Sequence, residues 1–308
     1  MLRRLDIHFR TVLPPAIAAW LLVCMGLAVT SLSRAEVTAV DDAGVRVTLA
    51  KPARRIVSLA PHVTELLYAI GAGDRVVGVA QFSDYPLAAR SRVQVGGANA
   101  VDLETILSLK PDLVVTWLSG NNAAQLDRLR AMGLVLFASE PRHIADIPDT
   151  ARRLGQLAGT EAQAGQFVRA FNQRYDRLQQ KYAGRRPVRL FYEIWPQPLM
   201  TVNGEHLISD VMRLCGAVNI FADIPALVPT VSVEAVLVAA PDIIVAGGRE
   251  EERSDWLDAW RRWPQLPAVK NNHLYFINPD YMQRNGPRIL DGAEQLCADV
   301  EQVRQRSP

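Results

Sequence analysis

Four histidines follow residue 35, His62, His143, His206 and His273, and none has a partner at metal-ligand spacing. The Gly-x-Ser-x-Gly elbow, the Gly-rich Lys-Ser/Thr phosphate loop and the His-Glu-x-x-His helix are all missing. Asp84 and Asp280 form a conceivable carboxylate pair, but acid–base work depends on a separation that sequence does not define. His62, in Pro61-His62 after a strand end, reads as a polar loop or helix-start residue. These residue types argue against an enzyme and against a bound metal or cofactor. The aromatic residues carry more information. Phe82 and Tyr85 lie in Gln-Phe-Ser-Asp-Tyr-Pro, Trp117 precedes Leu-Ser-Gly-Asn-Asn, Tyr192 and Trp195 flank Glu193, and Tyr281 sits in Asn-Pro-Asp-Tyr-Met. Each ring is either core packing or part of a ligand surface. Loops that follow successive buried strands collect at one mouth, where such rings suit a large, flat, partly apolar ligand.

The elements that must position these rings alternate between strand and helix. Residues 37–40 and 45–49 read as a hairpin around Asp-Asp-Ala-Gly. Short apolar strands are predicted at 55–59, 75–79, 113–117 and 135–138. Helices are predicted at 64–70, at 102–109 with Asp102 as N-cap, and at 122–132. This is an α/β pattern with buried parallel strands. From 144 to 182 the apolar residues recur at helical spacing. The stretch 161–182 has no proline and one glycine, and reads as one long helix. Another strand is predicted at 188–194, and a second α/β run continues to the C-terminus. The expected organisation is an N-terminal lobe at 36–145, a connecting helical segment at 146–184 and a C-terminal lobe at 185–308. The chain is long enough for two cores.

An internal repeat supports the two lobes. Val-Asp-Leu-Glu-Thr-Ile-Leu-Ser-Leu-Lys-Pro-Asp-Leu-Val-Val-Thr-Trp at 101–117 aligns without gaps to Val-Ser-Val-Glu-Ala-Val-Leu-Val-Ala-Ala-Pro-Asp-Ile-Ile-Val-Ala-Gly at 231–247. Glu104 pairs with Glu234, Pro111 with Pro241, and Asp112 with Asp242. Each copy predicts a capped helix, a Pro-Asp turn and a buried strand. One such unit per lobe leaves a cleft between lobes, a common place for ligands.

Arg3, Arg4 and Arg10 precede an uncharged apolar stretch that ends at Ser33-Arg34-Ala35. This pattern predicts a secretory signal peptide at 1–35. The rivals are an uncleaved anchor, short for a span once Pro14 and Pro15 are set aside, and a lipidated Cys24, whose preceding Val23 is bulky. Removal of 1–35, with four arginines against Asp6, turns the formal charge of +2 into −1. No concentrated basic patch remains to favour nucleic acid. Cys215 and Cys297 are then the two remaining cysteines in an oxidising compartment, either joined as a structural disulfide or left as buried thiols.

Arg55-Ile-Val-Ser-Leu-Ala-Pro-His-Val-Thr-Glu-Leu-Leu67 resembles the opening signature of the periplasmic solute-binding proteins for vitamin B12, haem and iron-siderophores. Phe82-Ser-Asp-Tyr-Pro86, Leu103-Glu104, Lys110-Pro-Asp-Leu-Val-Val-Thr-Trp117 and Pro287-Arg288 add to the likeness, which runs from about Arg55 to Cys297 and is strongest for the B12 branch. The resemblance implies two lobes joined by a rigid backbone helix, with little hinge motion and the ligand between them. It implies capture of cobalamin or a related corrinoid in the periplasm, by a protein monomeric when free. The corrinoid is transported cargo, not a cofactor. Delivery is to an inner-membrane ABC permease with a cytoplasmic ATPase. Phe82, Tyr85, Trp117, Trp195, Met200, Val228 and Tyr281 are the expected ligand-binding positions. Glu104 and Glu234 match glutamates that dock on permease arginines, and Cys215 and Cys297 match a disulfide pair. Tyr281 and Arg288 fall in a segment resembling the last binding loop and following helix. Ala98 and Val228 stand where the B12 branch has tryptophan, and Met200 where it has phenylalanine; Tyr192 or Trp195 is the candidate replacement for the missing rings. A haem or iron-siderophore binder is the neighbouring alternative. A sensory or adhesion module on the same fold is the alternative outside transport, and it would have no use for glutamates matched across two lobes.

Overall fold

The computed structural model describes residues 36–97, 100–248 and 253–306. The signal-peptide expectation, Cys24 and Ala98 lie outside these residues. The hairpin pairs β1 (Val37–Val40) with β2 (Arg46–Leu49), Val37 opposite Leu49. Asp41 closes its turn by accepting the N–H groups of Ala43 and Val45. β3 (Ile56–Ser58) follows, then α1 (Pro61–Ala69), which starts earlier than the sequence suggests because Pro61 occupies the first turn. β4 (Val76–Val79), β5 (Val93–Gln94), α2 (Leu103–Ser108), β6 (Leu113–Trp117), α3 (Ala123–Ala131) and β7 (Leu136–Ser139) complete a parallel sheet of order β5-β4-β3-β6-β7.

Next come α4 (Asp146–Ala158), ended by Gly159 in the left-handed region, and the long α5 (Glu161–Tyr182). The remaining elements are β8 (Val188–Glu193), β9 (Trp195–Pro196), β10 (Leu199–Met200), α6 (Leu207–Leu214), β11 (Ala217–Asn219), α7 (Val233–Ala239), β12 (Ile243–Ala246), α8 (Arg253–Trp260), α9 (Pro267–Lys270), β13 (Leu274–Phe276), α10 (Pro279–Met282) and α11 (Ile289–Arg306). A second parallel sheet has the order β11-β8-β12-β13. The protein is thus a two-lobed α/β structure.

Packing departs from the expectation of two cores. One buried cluster includes Ile56, Leu113 and Val115 of the first sheet. It continues through Ala164, Val168, Phe171 and Leu178 of α5 to Leu190, Ile243 and Val245 of the second. The inner faces of both sheets therefore share one apolar interior, with α5 as its spine. The outer faces keep separate clusters, Val57 and Val114 with Ile106 in one lobe, Phe191 and Ile244 with Val236 in the other. Alternation along the strands explains the division, because successive side chains leave a sheet on opposite faces. A Cys215–Cys297 disulfide ties α6 to α11 in the second lobe.

The repeat folds as two equivalent units. Asp102 and Ser232 cap their helices by accepting the N–H groups of Thr105 and Ala235. Lys110 and Ala240, at matching positions, both take φ of 45° to leave the helix. Asp112 accepts the N–H of Arg55 at 2.9 Å, and Asp242 that of Arg189 at 2.9 Å. Arg55 and Arg189 in turn donate to the helix-end carbonyls of Leu109 and Ala239. The equivalence thus extends to the starts of β3 and β8, where the sequences had shown no alignment.

Candidate functional site

Strand C-termini from both sheets open on one cleft of about 470 Å³. The first lobe contributes Trp117, Ser119 and Gly120 after β6, and Glu140, Pro141 and Arg142 after β7. The second contributes Ile194 after β8, Glu205, His206 and Leu207 at the start of α6, Leu227 and Val228, and Gln283 and Asn285 after α10.

Trp117 is seated by its surroundings. Its backbone N–H donates to Asn121 Oδ1 at 2.7 Å, and the Asn121 N–H returns a bond to the Trp117 carbonyl. The indole lies over Gly120, where an added Cβ would fall 1.9 Å from the ring, so only glycine fits beneath it. The His62 ring meets the indole edge-on at 5.5 Å. His62 is buried, and burial lowers its pKa from 6.5 to about 4, which keeps it neutral. It is a helix-start residue packed under the wall. Glu140, after β7, fixes the same turn by accepting the Ser119 N–H at 2.9 Å and hydroxyl at 2.8 Å.

Of the seven expected ligand positions, Trp117 and Val228 line this cleft. Phe82 is 71% exposed with φ of 64° and borders a separate hollow with Asp84, Arg90 and Arg92. Trp195 is 51% exposed, bonded through Nε1 to the Gln197 carbonyl and set edge-on against Trp256. Met200 faces Trp195 across the β9–β10 ribbon. Tyr192, a candidate replacement ring, is buried in the shared interior. Tyr85 and Tyr281 flank Arg288, whose guanidinium carbon lies 4.2 Å and 5.5 Å from their ring centres.

That arginine belongs to an ionic cluster between lobes. Glu65 on α1 is buried and receives Arg288 through Nε at 2.9 Å and Nη2 at 2.6 Å. Arg284 reaches Glu65 at 3.1 Å, Asp84 at 2.7 Å and Asp280 at 2.9 Å. Asp84 and Asp280 thus come together on one guanidinium, as its partners. Partial burial opposes ionisation of Asp84, and the Arg284 bond and charge outweigh it, so its pKa falls. Sequence reasoning missed Glu65 and Arg284; the Thr-Glu-Leu-Leu pattern reads as an ordinary helix. It also missed Glu140, Arg142, Glu205 and His206. The available signal was a histidine directly before an amphipathic helix. Among the described residues, no group of three or more His, Cys, Asp or Glu is placed to hold a metal ion, and no helix is long and apolar enough to cross a membrane.

Residues 56–281 match the model of the periplasmic binding protein family. The chain belongs to this family. The vitamin B12-binding protein of Vibrio cholerae serotype O1 is 38% identical over 247 residues, which cover 80% of this chain and 88% of that one. That of Vibrio parahaemolyticus is 34% identical, covering 83% and 92%. Among solved structures, the periplasmic vitamin B12-binding protein BtuF of Vibrio cholerae superposes with a TM-score of 0.77 at 37% identity, over 82% of this chain and 98% of that one. The haem-binding protein BhuT with two haems gives 0.73 at 18% identity, over 81% and 98%, a likeness of fold. This periplasmic binding protein is accordingly a solute-binding component and not an enzyme.

Proposed function

We propose that the chain captures a corrinoid of the cobalamin class in its inter-lobe cleft and delivers it to an inner-membrane ABC permease powered by a cytoplasmic ATPase. The observation that carries this reading is the Trp117 indole, held over Gly120 on the wall of a cleft walled by both lobes. A fixed aromatic face beside Ile194, Leu227 and Val228 suits a broad, partly apolar macrocycle. The vitamin B12-binding relatives support the same cargo. The lobes are 36–145 and 185–308, joined through 146–184, and residues 1–35 are the export signal. In this reading Phe82, Tyr85, Trp195, Met200 and Tyr281 contact the cargo in addition to Trp117 and Val228. The protein works in the periplasm as a monomer when free, and meets the permease through Glu104 and Glu234. Both are exposed at the second position of their helices. The Glu234 backbone N–H and the Ser232 hydroxyl hold the Glu234 pKa below its usual value.

Calorimetry with cyanocobalamin, haemin and a ferric siderophore tests the cargo. Cyanocobalamin binds in preference to the others, and Trp117→Ala weakens it about 30-fold, as expected for a central aromatic contact. Binding of haemin alone overturns the corrinoid assignment.

A further inference from the structure

The start of α6 carries polar groups that the aromatic wall does not use. His206 is half-buried on the cleft wall, beside exposed Glu205 and the apolar Leu207 and Val228. Arg142 and Glu140 are the charged groups of the other lobe in the same cleft. The Ile208 N–H donates to His206 Nδ1 at 3.1 Å, so the ring caps α6 with that nitrogen. A ring nitrogen that accepts must keep its lone pair, and the proton of the neutral imidazole then sits on Nε2. Protonating Nδ1 would set an N–H against the Ile208 N–H, at the positive end of a helix. Burial first, and the Arg142 charge second, bring the pKa down to about 4.

The ring therefore has a fixed role. Nδ1 is engaged and Nε2 carries hydrogen, so neither nitrogen offers a lone pair to a metal. Among the described residues Nε2–H has no acceptor, and the Glu205 carboxylate has neither hydrogen-bond nor ion-pair partner. One donor and one acceptor on adjacent residues complement a primary carboxamide, which presents a carbonyl oxygen beside an NH2 group.

We propose that His206 and Glu205 form a two-point site for a primary carboxamide at the edge of the cargo, with His206 Nε2–H donating to its carbonyl and Glu205 accepting from its NH2. The inference rests on the corrinoid reading and deepens it. A corrin ring is edged with carboxamides, whereas haem presents carboxylates, which Glu205 repels.

Titration calorimetry of the purified protein with cyanocobalamin, and with its monocarboxylic acids in which one side-chain amide has been hydrolysed, tests the site. His206→Asn keeps an acceptor for the Ile208 N–H and removes the distal donor, whereas His206→Gln supplies a donor near the Nε2 position. The Asn variant binds cyanocobalamin about tenfold more weakly, and the Gln variant stays within about threefold of wild type. Wild type binds at least one monoacid about tenfold more weakly than cyanocobalamin, and Glu205→Gln closes that gap. Cyanocobalamin affinity is flat between about pH 8 and 5. A folded His206→Asn protein with wild-type affinity overturns the proposal, as does equal binding of cyanocobalamin and every monoacid. An inflection near pH 6.5 that disappears in the Asn variant also overturns it, because it reveals a titrating ring. Absence of cyanocobalamin binding by wild type removes the corrinoid reading itself, so the wild-type titration separates the two failures.

Discussion

The N-terminal and C-terminal lobes carry the same seventeen-residue unit and use its last residue in opposite ways. In both, a capped helix turns through a left-handed residue into an aspartate that pins the neighbouring strand, and then enters a strand with the same inward and outward phase. The first copy ends in Trp117, whose ring is delivered to the cleft. The second ends in Gly247, where an added Cβ would lie 2.2 Å from the Tyr192 hydroxyl, so the backbone packs directly against that buried ring. The two copies share the parts that build a strand and its turn. The last residue differs between the lobes, because only the first copy turns a side chain into the cleft.

The largest expected difference between the lobes is in their response to pH. His62 in the first lobe has a folded pKa of about 4 against 6.5 unfolded. Below pH 6.5 the unfolded chain takes up a proton that the folded one refuses, so stability falls as pH drops toward 4, by about 3 kcal/mol. Glu193 in the second lobe is buried and bonded to Trp260 Nε1, and burial raises its pKa from 4.5 to about 7 despite that bond. Its contribution is present below pH 4.5 and is lost as pH rises toward 7, again by about 3 kcal/mol. Urea unfolding from pH 4 to 8 should show that His62→Gln flattens the acid limb and Glu193→Gln the neutral limb. Parallel curves for both variants and wild type would show that neither group titrates as assigned.

A smaller difference should separate the two turn aspartates. Asp112 accepts the N–H groups of Arg54 and Arg55, whereas among the described residues Asp242 accepts only that of Arg189. Bonds to a charged acceptor are worth about 1.5–3 kcal/mol. Asp112→Ala should therefore cost about 3 kcal/mol and Asp242→Ala about 2 kcal/mol in chemical denaturation. Equal losses would mean that the second bond at Asp112 adds nothing.

The smallest effect on folding belongs to the paired glutamates. Glu104→Gln with Glu234→Gln should leave the unfolding midpoint and cyanocobalamin affinity unchanged, since both side chains are exposed. Docking to the permease and stimulated ATP hydrolysis should be lost, because carboxylate–guanidinium pairing sets register. Undiminished stimulation by the folded double variant would remove the docking role. One single variant matching the double would show that the lobes are used unequally.

Much of this architecture was legible because it follows local rules. The hairpin, the Asp102 cap, the Pro-Asp turns, the strand at 113–117 and the helix at 161–182 are set by neighbours within a few residues, and their periodicity survives in the sequence. The repeat is similarly visible, since matched apolar phase requires matched residues. Tertiary structure decided what depends on distance between remote segments. It merged two expected cores into one along α5, placed Tyr192 inside that core, and gathered Glu65, Asp84, Asp280, Arg284 and Arg288 from three separate stretches. It also engaged one nitrogen of His206, through the Ile208 N–H, and set the ring on the cleft wall. Charge pairing and tautomer choice act over a few ångströms in space, and no spacing along the chain encodes which distant groups will fall within that reach.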